Sequence, residues 1–266
     1  MLELFELELL GGTTTERYRR ARPEVDAMPW GTLRPADHPP ELLAAARKAW
    51  TGAAFQEFRT GAACAATLQA LLTARAPLDL IAVAARFPLD EVVHVELCAR
   101  LAAELGGGAP MAYDPERLVD DPGAGSPPLQ RAAHLVVANF CVGEALSIPL
   151  LHGTSQAATH PLVKAVLRRI VRDEADHGTF GWTFLDWVAP HLDDGDRVAL
   201  GRTADQYIAG IHNTWADLRR NQQAPRDQAY ALGWLGTDEY LALAARSLQS
   251  QVIAPLRLRG LPISAV

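Results

Sequence analysis

Two similar pentapeptides, Asp90-Glu91-Val92-Val93-His94 and Asp173-Glu174-Ala175-Asp176-His177, occur in this chain. In each, Glu and His are three positions apart, which in an α-helix places both on one face, where they can bind the same metal ion. Chance predicts only about 0.03 copies of Asp-Glu-x-x-His in a chain of this composition. Two copies therefore indicate a metal site built by two helices, and this site decides which fold we expect.

Prolines, glycines and apolar spacing divide the chain around the pentapeptides into predicted helices. Helix 1 is predicted at about 41–75 and helix 2 at about 79–105, before three successive glycines. Helix 3 is predicted at about 128–151, and helix 4 from about 160 to 188. Two further helices are expected at about 194–222 and 237–253. Pro88 lies inside predicted helix 2, where it either kinks the helix or marks a real break.

The connection between helices 2 and 3 is long enough to change the topology. Its 22 residues, 106–127, could reach about 70 Å when extended, whereas a 25-residue helix is about 35–40 Å long. The connection can therefore cross the whole bundle. We expect an all-α fold that resembles the ferritin-like four-helix bundle, with a long crossover between helices 2 and 3.

The remaining segments are expected to flank this bundle within a single domain over 1–266. Residues 1–40 are rich in proline and show little helical period, so we predict an extended N-terminal arm laid over the body. Residues 41–190 would form the four-helix core that holds two metal ions. Residues 191–266 would supply two C-terminal helices and a basic tail.

A four-helix site for two metal ions also needs one carboxylate from each of the other two helices. Predicted helix 1 offers Glu57, since Glu41 lies at its very start, and predicted helix 3 offers only Glu144. Both are lone acids in apolar stretches, where an unpaired carboxylate is costly to bury. The predicted metal ligands are Glu57, Glu91, His94, Glu144, Glu174 and His177. Four carboxylates and two imidazoles suit two Fe per chain, with Mn as an alternative.

The order of these residues resembles that in the ferritin-like di-iron carboxylate superfamily over about residues 50–190. The doubled Asp-Glu-x-x-His is most similar to bacterial multicomponent monooxygenase hydroxylases and, less fully, to acyl-carrier-protein desaturases. The resemblance implies that Glu91 and Glu174 bridge the two ions, which His94 and His177 cap. Glu57 would bind one ion, and Glu144 would shift its coordination on oxidation.

The same resemblance gives a role to the aspartate that opens each pentapeptide. Asp90 and Asp173 would each accept a hydrogen bond from the ligand histidine of the other helix, which would fix the tautomer and basicity of that histidine. The alternative is that both acids simply face solvent.

Departures from related proteins narrow the expected chemistry. Ser147 stands where rubrerythrin-like peroxidases carry an extra Glu, and the chain has no CxxC pair. Cys98 stands where the ribonucleotide reductase small subunit has its radical tyrosine. The chain is also longer than a storage ferritin. These differences favour oxygen activation on an organic substrate.

Small side chains in phase with the predicted ligands suggest space for that substrate. They are Gly61, Cys64, Cys98, Cys141 and Ser147. The alternative is ordinary packing, since free cysteine is often a small buried hydrophobe. Ser147 is also a candidate proton relay, unless its hydroxyl only bonds to the helix backbone.

The leading hypothesis is a non-haem di-iron oxygenase or oxidase. It would use O2 to hydroxylate, desaturate or N-oxygenate a small, largely apolar organic substrate. An external electron donor is required because no flavin or nicotinamide motif is present, and no haem is expected. The first alternative is a ferroxidase or peroxide-scavenging protein, and the second is a non-catalytic helical binding module.

Composition argues against several other classes. With 25 Lys+Arg against 31 Asp+Glu, a net charge of −6 and no basic stripe, no nucleic-acid partner is expected. Three cysteines without a CxxC pair argue against a disulfide framework. Charged residues interrupt the apolar runs before about 18 positions, and the N-terminus is acidic, so neither a membrane span nor a signal peptide is predicted. We expect a soluble, cytoplasmic protein, with homodimer formation left open.

Overall fold

The computed structural model describes residues 1–220 and 226–264. These residues are mostly helical, which confirms the all-α prediction. The α-helices are α1 Gly12–Ala21, α2 Pro40–Thr73, α3 Leu78–Ala84, α4 Phe87–Glu104, α5 Pro128–Val136, α6 Ala145–Ala157, α7 Pro161–Val188, α8 Asp194–Arg220, α9 Arg226–Ala231, α10 Thr237–Ser247 and α11 Ala254–Leu258. Two π-helical segments are Val137–Glu144 and Leu248–Ile253. Short 3-10 turns are Pro35–Asp37, Pro115–Arg117 and Ala189–His191.

The long helices that carry the pentapeptides pack against two others. Helix α2 lies along α4, α6 lies along α7, α5 contacts α2, and α4 contacts α7. The predicted bounds of helix 1 and helix 4 agree with α2 and α7 to within two residues. The packing brings the middles of α2, α4 and α7 close to the π segment Val137–Glu144.

Predicted helix 2 is two helices. The chain turns at Ala85 and Arg86, between α3 and α4. Pro88 then lies in the first turn of α4, where its missing N–H costs nothing and its ring meets no carbonyl of a preceding turn. Pro88 therefore marks a real break in predicted helix 2 and does not kink a continuous helix.

Predicted helix 3 is longer than expected and irregular. Helix α5, the π segment and α6 run on to Ala157, with Pro149 inside α6. Gly153, just past the predicted end of helix 3 at about residue 151, permits close packing, because a Cβ there would lie 2.6 Å from Cδ2 of Leu243 in α10. The helix ends at Ala158, where the backbone becomes extended ahead of Pro161.

The N-terminal arm is not wholly extended, which corrects the expectation for residues 1–40. It contains α1, and its strand β1 (Glu3–Leu4) pairs antiparallel with β2 (Ala112–Tyr113) of the crossover. Helix α1 buries none of its residues, so it has no apolar stripe from which it could be predicted. Ion pairs hold the following turn instead: buried Arg22 lies 2.8 Å from Glu96 of α4 and 2.8 Å from Asp26.

The C-terminal helices cover α6 and the π segment. Helix α8 was predicted to reach residue 222, but positions 221 and 222 lie outside the described residues. The predicted helix at 237–253 continues through a π segment into α11, five residues further. The tail then returns to α8, where Gly201 approaches Pro262.

One helical stretch in the described chain, Pro128–Ala157, is long and apolar enough to cross a membrane, with a mean hydropathy of 1.6. The sequence prediction did not anticipate a stretch of this length. Because 61% of its apolar window is buried inside the protein, it is consistent with the core helix of a soluble protein.

Gly201→Ala tests how the tail docks on α8. A Cβ at position 201 would lie 2.3 Å from the carbonyl oxygen of Pro262, so the tail must shift. We expect a loss of about 1–3 kcal/mol in the free energy of unfolding, measured by urea denaturation. Gly210→Ala is the matched control in the same helix, because no described atom lies within 4 Å of its added Cβ. It should be neutral or stabilise by up to about 1 kcal/mol. Equal effects of the two substitutions would contradict the tail contact.

Candidate metal centre

The structure brings all six predicted ligands together in the protein interior. Their ligand atoms form two overlapping groups in which all atoms of a group lie within 4.8 Å of one another. The first group is Glu57, Glu91, His94 and Glu174, and the second is Glu91, Glu144, Glu174 and His177. Helices α2, α4 and α7 and the last position of the π segment supply these residues. Glu91 and Glu174 belong to both groups.

These polar side chains are shielded from water. Glu91, His94 and His177 are fully buried, Glu174 and Glu144 nearly so, and Glu57 keeps 17% of its side chain exposed. Burial of this many ionisable groups is costly unless each has a charged or hydrogen-bonding partner.

Several of these buried atoms have no hydrogen-bond partner among the described residues. They are both carboxylate oxygens of Glu91, Oε2 of Glu174 and Nδ1 of both His94 and His177. His177 Nδ1 comes within 3.0 Å of Glu174 Oε2 and 3.1 Å of Glu91 Oε1, but without the angles of a hydrogen bond. Unpaired lone pairs that converge on a common point are what a metal cation would satisfy, so the residues present fit a metal ion.

Each histidine presents opposite ring nitrogens to the cluster and to an aspartate. Nδ1 faces the carboxylates, and Nε2 faces the aspartate of the other pentapeptide. His94 Nε2 hydrogen-bonds to Asp173 Oδ2 at 3.3 Å, while His177 Nε2 lies 3.7 Å from Asp90 Oδ2. A proton held on Nε2 by an aspartate leaves the Nδ1 lone pair free for a metal ion. Both aspartates are mostly buried, unlike acids that face solvent.

The four glutamates differ in how they hold a proton. Burial raises the pKa of Glu57 to about 7 and that of Glu144 well above its usual range. Burial also opposes ionisation of Glu174, yet contacts with the two histidines lower its pKa to about 2. The pKa of Glu91 is lowered by the same contacts. Without a metal, therefore, Glu91 and Glu174 carry the negative charge of the cluster.

Both imidazoles carry the balancing positive charge. Burial alone would lower the pKa of His177, but Asp90, Glu174 and Glu91 raise it to about 12. The pKa of His94 is likewise raised well above its usual range, against burial, by its contacts with Glu174, Glu57 and Glu91. Protons on the histidines thus occupy the positions where metal cations would neutralise the carboxylates.

Glu144 reaches the cluster from an irregular part of its helix. It is the last residue of the π segment Val137–Glu144, and π segments inside α-helices are frequent at functional sites. Ser147, one turn later, donates its hydroxyl at 3.1 Å towards both the Glu144 carbonyl and Glu144 Oε2. The expected backbone hydrogen bond is present and the hydroxyl also contacts the Glu144 carboxylate, while the proton-relay role of Ser147 stays a prediction. The π segment itself was not predicted.

The small residues expected to line a substrate pocket have other neighbours. An added Cβ at Gly61 would lie 3.2 Å from Glu91 Cβ, so this glycine makes room for the Glu91 side chain. Cys141 lies against Gly181 of α7 and is not brought to the carboxylates. The expectation that Gly61 and Cys141 border a substrate stays a prediction. Cys64 and Cys98 are buried near the cluster, and burial raises the pKa of both thiols well above the usual range.

A surface groove of about 360 Å³ lies beside the break between α3 and α4. Its walls include Leu80 and Val83 of α3 and Phe180 of α7. The ring of Phe180 packs on that of Phe87, which is 4.1 Å from the His177 ring. One layer of aromatic rings thus separates the groove from the cluster. The sequence signal for the helix break beside this groove was Pro88, which predicted a distortion of the helix next to the predicted ligands.

Sequence reasoning missed one buried cation beside the cluster. Arg169 of α7 is 8% exposed and forms an ion pair with Asp173, four residues later. Its other partner is Glu24 in the N-terminal arm, at 3.1 Å. The spacing of Arg169 and Asp173 on one helix face was a readable signal, but the partner in the arm was not.

Comparison with known proteins identifies no relatives: no protein-family model matches this chain, and no curated protein is found similar to it.

Metal binding should stabilise the fold, and Glu57→Gln should weaken that effect. A ligand at about 100 times its Kd adds about 2.7 kcal/mol to the free energy of unfolding. We expect Mn(II) or anaerobic Fe(II) to raise the melting temperature of the wild-type protein, and Glu57→Gln to reduce the rise because one anionic ligand is lost. The matched control is Glu41→Gln, an exposed acid at the start of the same helix, which should respond like the wild type. An equal response of both variants would contradict the assignment of Glu57.

Metal affinity should increase with pH. An ion can bind Nδ1 of His94 or His177 only after the imidazolium loses its proton, and the pKa of both groups is raised far above neutral. Each proton released makes the affinity about tenfold stronger per pH unit, so release of two predicts about 100-fold per unit between about pH 6 and 8. Isothermal titration calorimetry in buffers of different ionisation enthalpy measures the protons released. A pH-independent affinity would contradict this account of the cluster.

Proposed function

We propose that this protein is a non-haem di-iron oxygenase or oxidase of the ferritin-like carboxylate type. One observation carries the proposal: two four-residue groups of ligand atoms share Glu91 and Glu174. Shared carboxylates are how two metal ions are held close together in the core of a helical bundle. His94 and Glu57 would complete one ion position, and His177 and Glu144 the other.

The donor set supports iron, with manganese as the alternative. Carboxylate oxygens and imidazole nitrogens suit Fe and Mn, whereas copper(I) and iron–sulfur clusters prefer thiolates. Cys64 and Cys98 lie near the cluster, but burial raises the pKa of both and keeps them as neutral thiols. They are therefore poor competitors for the ions.

The arrangement of helices supports the ferritin-like topology. The pairs α2 with α4 and the π segment Val137–Glu144 with α7 each supply one Glu and one Glu-x-x-His to the cluster, and the long connection after α4 separates the pairs. This is the order and ligand pattern of bundle proteins with one crossover.

A pair of iron ions, when bound, would supply the place where O2 reacts and two of the electrons for its reduction. The chain's own residues would control what reaches them. Burial of Glu91 and His177 excludes bulk water, which prevents loss of oxidising equivalents to solvent. Ser147 can hold or pass a proton at Glu144 Oε2. Further electrons would come from an external donor.

The groove beside α3 supports a small, largely apolar organic substrate. Leucine, alanine, valine and phenylalanine side chains form one part of its wall, and an Arg86–Asp176 ion pair and two threonines form the polar part. The ring of Phe87 lies between the groove and His177. We place the substrate in this groove, on the His177 side of the cluster.

A second candidate function is a ferroxidase or peroxide-scavenging activity. The observation in its favour is the burial of five of the six ligands, whose residues are each no more than 6% exposed. Such an enclosed cluster admits O2, peroxide or a metal ion more easily than an organic molecule.

Oxygen consumption by the iron-loaded protein tests the proposal. After anaerobic loading we expect about two Fe per chain, and fewer than about 1.5 would contradict the site. With a chemical reductant and a panel of small aromatic and aliphatic compounds, we expect label from ¹⁸O2 or loss of two hydrogens in a product detected by mass spectrometry. Glu174→Ala should abolish iron loading and turnover. The matched control, Asp186→Ala, removes an exposed acid later in the same helix that does not line the groove, and should keep both.

The two candidate functions give different results in that assay. Rapid loss of peroxide with Fe(II) alone, and no change in any organic compound, would support the second candidate against the first.

A further inference from the structure

The two aspartates that face the cluster histidines are held differently. Asp173 hydrogen-bonds to His94 through Oδ2, and the same carboxylate forms an ion pair with Arg169 and accepts a hydrogen bond from Arg172 Nε at 3.4 Å. Arg169 is buried, whereas Arg172 keeps 60% of its side chain exposed. The Asp173 carboxylate is therefore fixed mainly by a guanidinium shielded from water.

The N-terminal arm holds that guanidinium from the other side. Glu24 Oε1 lies 3.1 Å from Arg169 Nε and also pairs with Arg172. A chain of contacts thus runs from Glu24 through Arg169 and Asp173 to His94. Both contacts of Arg169 are ion pairs without the angles of a hydrogen bond. Attraction between the buried charges limits the positions that the Asp173 carboxylate can take.

Asp90, on the His177 side of the cluster, is held by fewer contacts than Asp173. It lies 3.7 Å from His177 Nε2, which has no hydrogen-bond partner in the part of the chain that the structure describes. Within the same residues no arginine forms an ion pair with Asp90, although the field of Arg169 reaches it. His177 is therefore less restrained than His94.

A metal-binding histidine is oriented by the partner of its other ring nitrogen, and loss of that partner typically weakens metal affinity about 10–100-fold. A ligand already fixed in its binding orientation loses less freedom when the ion binds. The position with the restrained histidine should accordingly bind its ion more tightly.

Resting on the proposed two-ion site, we propose that Arg169 is a positioning residue that makes the two ion positions unequal. Through Asp173 it orients His94, so that the position formed by Glu57, Glu91, His94 and Glu174 fills before the position that contains His177. Its ion-pair contacts lead only to the histidine of that first position.

Stepwise titration with Co(II), followed by its visible absorption, measures both affinities in the purified full-length protein. We expect two steps for the wild type, and in Arg169→Met a first step weakened about tenfold or more with an unchanged second step. Arg169→Lys should recover part of the loss, since it keeps the charge but not the planar fork. The matched control is Arg22→Met, which removes another buried arginine between the arm and α4 but one that pairs with Glu96 and Asp26. It should lower stability and leave both metal affinities unchanged.

Variants that keep only one of the two histidines show which ion position depends on Arg169. In a His177→Ala background, Arg169→Met should weaken Co(II) binding about tenfold, and in a His94→Ala background it should have no effect. Equal affinities in the wild type, or equal effects of Arg169→Met and Arg22→Met, or an effect in both backgrounds, would overturn the inference. A wild-type protein that binds fewer than two Co(II) would instead count against the proposed function.

Discussion

Burial of four carboxylates and two imidazoles at one point is the constraint on which the rest of this structure depends. Such groups are expensive to remove from water unless opposite charges compensate them. In the metal-free protein, protons on His94 and His177 and the neutral form of Glu144 provide that compensation, as their raised pKa values indicate. Metal cations would supply the same compensation with better geometry, because they can satisfy the carboxylate oxygens of Glu91 that lack hydrogen-bond partners among the described residues.

The backbone around the cluster is adapted to this convergence. At Gly61, α2 approaches α4 so closely that the methylene groups of Glu91 occupy the space of a side chain. Gly178 and Gly181 allow Ile148 and Cys141 to lie even closer to α7. Glu144 is supplied by the end of a π segment, in which the helix is locally wider than a regular α-helix. Close approach and local widening together bring side chains from four helical segments into the two overlapping groups of ligand atoms.

The sequence predicted the ligands because helical periodicity links spacing to direction. Glu91 and His94 share a face in any α-helix, and lone acids such as Glu57 are conspicuous in apolar stretches. What escaped prediction depends on long-range partners. Helix α1 has no buried residue and docks beside Arg22, whose ion partner Glu96 is distant in sequence. The size of a residue does not say what fills the space next to it, so the neighbours of Gly61 and Cys141 could not be read from the sequence.

The ring of Phe87 is where the two candidate functions differ physically. It stands 4.1 Å from the His177 ring and, with Phe140 and Phe180, separates the cluster from the groove beside α3. An organic substrate in the groove could be oxidised only if this ring moved aside, whereas O2 or peroxide needs a much narrower path. Phe87 is the first residue of α4, directly after the chain break at Ala85 and Arg86. Because the ring is buried against Phe140, Phe180 and His177, its displacement would require these neighbours to repack, a cost that O2 or peroxide would not meet.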